Sequence, residues 1–148
     1  MKISKAIEKD SKDFIYLTKQ LAKFEKLKGP DKTAQRRLAN DAFKKKLFEI
    51  YLIKNKKKSI AYLAIFMTYS TFLAKPTLYV EDLFVMPRYR GKGLGKMLFN
   101  HALKLAKKRK CGRMEWNVLR WNKKAINFYK KMGAKSLDQW QWYRITLK

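Results

Sequence analysis

The sequence predicts a mixed α/β domain, and three observations carry that prediction. Segments rich in Ile, Val, Leu and Tyr alternate with segments whose apolar residues recur at helical spacing. Glycines and prolines punctuate the junctions between them. A length of 148 residues suits one domain, residues 1–148, without internal repeats or linkers.

Residues 2–7 alternate weakly and read as a short first strand. Phe14, Leu17, Leu21 and Phe24 then space a helix that starts at Ser11, the expected N-cap, and ends before Gly29-Pro30. A second, more basic helix is expected over Lys32–Lys46. Leu47–Lys54 has a strand composition, and the turn Asn55-Lys56-Lys57-Lys58 leads into a long strand over Ile60–Tyr69. After Lys75-Pro76, Thr77–Met86 reads as the next strand. A helix opens at the following glycines and runs to about Arg109, with Leu94, Met97, Leu98, Ala102 and Leu105 on one face. Strand Arg113–Leu119 follows. Asn122 then caps a short helix that stops at Met132-Gly133, and an aromatic strand over Gln141–Leu147 closes the chain.

Composition excludes several classes. With 47% apolar and 14% aromatic residues, the chain is too rich in core formers for a disordered basic tail. Its one cysteine, Cys111, rules out an internal disulfide and any Cys-based zinc cluster, which points to a reducing cytosol. Met1–Lys5 has no apolar run behind its charge, so no secretory signal is expected. The longest uncharged stretch, Ser59–Ala74, is shorter than the ~20 residues of a membrane helix. A soluble, cytoplasmic protein without a membrane partner is expected.

The 37 Lys and Arg outnumber 11 Asp and Glu, a net charge of +26. Such a field attracts polyanions, nucleic acid among them. Lysine-rich composition also serves solubility, and no helix-turn-helix, zinc finger or aromatic RNA-binding signature accompanies the charge. Charge alone does not name a function.

The informative segment is Leu83–Lys96, where a strand ends, glycines make a tight turn and an amphipathic helix begins. Glycines let backbone N–H groups approach an anion, and a helix N-terminus adds partial positive charge. Arg88, Arg90, Lys92 and Lys96 surround this phosphate cradle. It is not a P-loop: Met97 follows Gly95-Lys96, and Arg90 stands where the first glycine is required. Nor is it a dinucleotide fingerprint, because the neighbourhood about 20 residues on holds Cys111 and Arg113 instead of a ribose-binding acid.

What remains is Met86-Pro87-x-x-Arg90-Gly91-x-Gly93-x-Gly95, which resembles the diphosphate-binding motif of the GNAT superfamily of N-acetyltransferases. Downstream, Trp121-Asn122-x-x-Ala125-x-x-Phe128-Tyr129-x-x-Met132-Gly133-Ala134 is similar to that family's second signature. Leu21-Ala22-Lys23-Phe24-Glu25 and Leu78–Met86 resemble its diamine and thialysine acetyltransferase branch. The resemblance implies a mostly antiparallel central sheet flanked by about four helices, acetyl-CoA as co-substrate, a primary-amine acceptor and a homodimer. It implies that the turn Arg90, Gly91, Lys92, Gly93, Leu94, Gly95 and Lys96 holds the diphosphate. Leu83, Phe84 and Val85 would hold the pantetheine arm as a strand edge, with the Leu83 and Val85 amides polarising the thioester carbonyl and Asn122 touching the arm.

Acetyl transfer to an amine needs the neutral form. A primary amine of pKa near 10.4 starts as ammonium at pH 7, and deprotonating it costs ~4–5 kcal/mol. A nearby carboxylate can take the proton. Between Tyr51 and Met114 the only acids are Glu81 and Asp82, which strict alternation places on opposite faces of their strand. The resemblance implies Glu81 as water-relayed base, Tyr129 as general acid, and Glu25, Asp82 and Trp121 as acceptor contacts. Either carboxylate could instead pair with surrounding lysines, and Tyr129 could be a core residue.

The sole histidine, His101, lies near an apolar helix stripe and reads as structural; without partners it makes no metal site, and no metal is expected. Nothing pairs Cys111 with a base. The tryptophans Trp116, Trp121, Trp140 and Trp142 are expected to pack. The chain departs from polyamine enzymes where these are acidic: Lys26-Leu27-Lys28 follows Glu25, Gln139-Trp140-Gln141 stands near the C-terminus, and Met132 replaces a cofactor-binding arginine. These differences argue against spermidine and leave a smaller amine, an amino acid side chain or a lysine on a protein. The alternative is a nucleic-acid-binding module that retains the fold.

Overall fold

Near-continuous apolar runs in the central strands build a sheet with two buried faces. In the computed structural model, which describes residues 1–147, five strands lie in the order β1-β2-β3-β4-β5. They span Ile3–Lys5, Glu49–Asn55, Lys58–Ser70, Lys75–Val85 and Arg113–Glu115. The first four pair antiparallel, and β5 joins β4 in parallel. The helices are α1 (Ser11–Glu25), α2 (Lys32–Phe43), α3 (Leu94–Lys108) and α4 (Lys123–Lys131). By internal contacts the chain divides into two units, Met1–Asn117 and Val118–Lys148, described separately below.

Alternation along β2 and β3 sorts side chains between two cores. Ile53, Leu63 and Ile65 meet Leu94, Leu98 and Ala102 of α3 on one face. On the other, Leu52, Tyr62 and Ala64 meet Phe14 and Leu17 of α1. Phe14 is buried there among the rings of Phe43, Phe48 and Tyr62, with centroids 5.6–6.4 Å away. Each such apolar side chain contributes about 1.5–3 kcal/mol of burial.

Several boundaries differ from expectation. A 3₁₀ turn, Glu8–Asp10, winds into α1, so Asp10 rather than Ser11 is the N-cap residue. The Asp10 carboxylate accepts the Ile7 N–H and pairs with Lys54 on β2. Helix α2 stops at Phe43, before Lys46 takes a left-handed φ of 55°. Strand β5 ends at Glu115, not Leu119.

The second unit has one helix. Asn122 caps α4 as expected, its Oδ1 accepting the Ala125 N–H at 3.2 Å. Residues 141–147 make no strand. Trp142, Ile145 and Leu147 are 70–88% exposed, so the segment has strand composition without a pairing edge. Trp140 is likewise 70% exposed, and neither it nor Trp142 packs as expected. Trp116, in the first unit, does pack, its ring edge-on to Phe99 at 5.4 Å.

Candidate functional site

Strand β4 carries the chemistry, and a bulge aims it. Ala64 pairs with Asp82, but the next residue of β3, Ile65, pairs with Val80. Glu81 is therefore the extra residue of a β-bulge, a device that re-aims side chains. Strict alternation fails here: Val80 and Leu83 both face the α3 core, and the two acids lie between them. Glu81 is near enough to Asp82 to disfavour its ionisation, and so is Glu25 at the end of α1. Both acids act on Asp82 in a chain of charge +26, and the strict alternation expected along this strand is broken by the bulge.

Asp82 is strongly perturbed. Burial raises its pKa to about 6, although a hydrogen bond from the Tyr62 hydroxyl at 2.9 Å favours the carboxylate. Glu25 is raised too, by burial. Since Asp82 holds its proton more tightly folded than at its ordinary value of 3.8, its favourable contribution is complete below that value and is lost as pH rises through about 6. Unfolding by urea is expected to show ~3 kcal/mol of stability lost across that window, and Asp82→Asn is expected to remove that loss.

Beyond the bulge, β4 offers one free edge. The Met86 N–H donates to the Ile60 carbonyl at 2.9 Å, and bonded and non-bonded pairs alternate along an antiparallel ladder. Phe84 therefore bonds β3, whereas the main-chain groups of Leu83 and Val85 turn the other way. Their side has no strand beside it among the described residues, because β5 pairs only with Thr77, Leu78 and Tyr79. Phe84 contributes its ring to the α1–α2 core instead of this edge.

The turn after β4 is an open cradle. Pro87–Tyr89 forms a 3₁₀ turn, then Gly91 and Gly93 take φ of 74° and 77°. A Cβ built on either would meet no protein atom within 4 Å apart from its chain neighbours. Gly93 is the N-cap of α3, and no side chain caps that helix. The first-turn amides of Leu94, Gly95 and Lys96 are therefore available to an anion, and the turn fits the diphosphate of acetyl-CoA. Arg90 is placed differently from the lysines: its Nε donates to the Val85 carbonyl at 2.9 Å, and its guanidinium lies 4.3 Å from the centre of the Phe24 ring.

The first unit thus brings together Glu25, Glu81, Asp82, the Leu83–Val85 edge and the 90–96 turn. Trp121, Asn122 and Tyr129 belong to the second unit, where Tyr129 on α4 packs its ring 5.3 Å from that of Phe128. Sequence reasoning missed Tyr62 as the partner of Asp82 and Phe24 as the partner of Arg90. Only the aromatic character of both positions hinted at a role. The His101 ring lies 4.5 Å from that of Tyr51, tilted by 60°, with its Nε2 buried and lacking a hydrogen bond. Among the described residues no three His, Cys, Asp or Glu side chains group as a metal site, and no helix is long and apolar enough to cross a membrane.

The model of the acetyltransferase (GNAT) family matches residues 15–134. Thialysine N-epsilon-acetyltransferase of Mus musculus is 33% identical, over 93% of this chain and 86% of that protein. L-ornithine N5-acetyltransferase NATA1 of Arabidopsis thaliana is 47% identical over 55% of this chain, a match that spans 36% of that protein. Among solved structures, a ribosomal-protein-alanine N-acetyltransferase from Brucella melitensis superposes with a TM-score of 0.77 at 18% identity, over 99% of this chain and all of that one. An aminoglycoside acetyltransferase from a soil metagenome does so at 0.81 and 20%, over 99% and 96% of the two chains. These two likenesses concern the fold.

Proposed function

The chain belongs to the acetyltransferase (GNAT) family, and from that premise we propose that it acetylates a primary amine of a small acceptor such as thialysine or ornithine. When bound, acetyl-CoA supplies the acetyl group as a thioester. The main-chain amides of residues 91–96 hold its diphosphate, and the Leu83–Val85 edge and Asn122 hold its arm. Glu81 takes the ammonium proton through one water, Asp82, Glu25 and Trp121 hold the acceptor, and Tyr129 carries the acid proton on its phenolic oxygen. Relatives that act on thialysine and ornithine support the acceptor class.

The observation that carries the proposal is the bulge at Glu81, which sets a carboxylate beside Asp82 and just ahead of the free strand edge and glycine turn. The test is thiol release from acetyl-CoA with ornithine, thialysine, spermidine and a basic protein as acceptors. Ornithine or thialysine is expected to be turned over faster than spermidine, which a strongly cationic protein repels. No thiol release with any acceptor would overturn the proposal. A net charge of +26 favours a second reading, a protein that docks on nucleic acid; steeply salt-dependent DNA binding without affinity for acetyl-CoA would support it.

A further inference from the structure

The arginine that opens the glycine turn does not direct its charge into that turn. Arg90 crosses to the face of the sheet opposite α3, where its guanidinium lies 4.3 Å from the Phe24 ring and 5.6 Å from the Phe84 ring. Both rings belong to the α1–α2 core. Its Nε closes on the Val85 carbonyl at 2.9 Å, on the free side of β4. Burial lowers its pKa, and among the described residues no carboxylate is within ion-pairing distance of it. With no acid partner, this exposed guanidinium is held by its planar shape, which offers one edge to a carbonyl and one face to two rings. Here one edge fixes the end of the strand that bears Glu81, and one face fixes the residue next to Glu25.

We propose that Arg90 is a positioning residue that ties the cofactor turn to the acceptor wall, bracing Phe24, and with it Glu25, against the end of β4. The turn binds diphosphate through main-chain amides, so it does not need this charge. Acceptor binding needs Glu25 in place, and that placement rests on Arg90. Lysine keeps the charge but loses the fork and the flat face. The inference rests on the acetyltransferase reading above.

The test is Arg90→Lys and Phe24→Leu, singly and together, with initial rates for acetyl-CoA and ornithine and calorimetric titration with CoA alone. Each single variant is expected to raise the ornithine KM about 10-fold. The pair is expected to do little more than either alone, since both break the same contact. The CoA affinity of each is expected to stay within about 2-fold. A drop of 10-fold or more in CoA affinity with unchanged ornithine KM would overturn the inference, because the side chain would then serve the diphosphate. So would an unchanged ornithine KM in both variants, or a fall in kcat alone that tracks a lower melting temperature. Should Arg90→Lys not fold, Phe24→Leu carries the same comparison. A wild-type protein that binds no CoA would defeat the acetyltransferase reading itself, an outcome seen before any variant is made.

Discussion

Replacing Glu81 with glutamine is expected to lower kcat about 10²–10⁴-fold at pH 7 without weakening CoA binding. Glutamine matches glutamate in shape, so the bulge and its neighbours persist, but an amide takes no proton from an ammonium. The acceptor must then lose its proton to solvent, which penalises the reaction by ~4–5 kcal/mol at pH 7. That penalty shrinks as pH approaches the acceptor's own pKa, so the Glu81→Gln rate is expected to climb steadily with pH up to about 10. Rates of both proteins across that range check the assignment. If Glu81→Gln kept wild-type turnover at neutral pH, Glu81 would not be the base, and Asp82, with a pKa raised to about 6, would be the next candidate.

Gly93→Val is expected to weaken CoA about 100-fold, the loss of one or two charge-assisted hydrogen bonds at the turn. Gly93 sits at a φ of 77°, where a Cβ costs about 1–2 kcal/mol and a β-branched residue is worse placed still. Apart from its chain neighbours, no protein atom lies within 4 Å of that Cβ position, so the new carbons would project into the open turn where the proposal puts the diphosphate. Main-chain strain acts on folding and obstruction acts on ligand, which separates the two effects. Calorimetry with CoA should register the large change, and the melting temperature a smaller one. Unaltered CoA affinity in a folded variant would mean that the diphosphate lies elsewhere.

The parts of the site that depend on local backbone were legible in the sequence. Gly91 and Gly93 announced a tight turn, and Asn122 announced a helix cap, because these are properties of a residue and its nearest neighbours. What depends on which strand pairs with which, and in what register, was not. The bulge at Glu81 exists only as a mismatch between β3 and β4, so counting along β4 alone gave strict alternation and no bulge. Tyr62 became the partner of Asp82 across that same pairing. Ser11 looked like a cap from its hydroxyl, yet the 3₁₀ turn before it moved the cap to Asp10, whose carboxylate bonds the Ile7 amide. Residues 141–147 have the aromatic and branched residues of a strand, but composition does not supply an edge to pair with.

The most direct measurement is a titration of the ¹⁵N-labelled protein with CoA, following each backbone amide by NMR. The largest shifts are expected on Gly91, Gly93, Leu94, Gly95 and Lys96, with a second group at Leu83 and Val85. Saturable CoA binding that leaves those amides unmoved and shifts others would contradict that expectation.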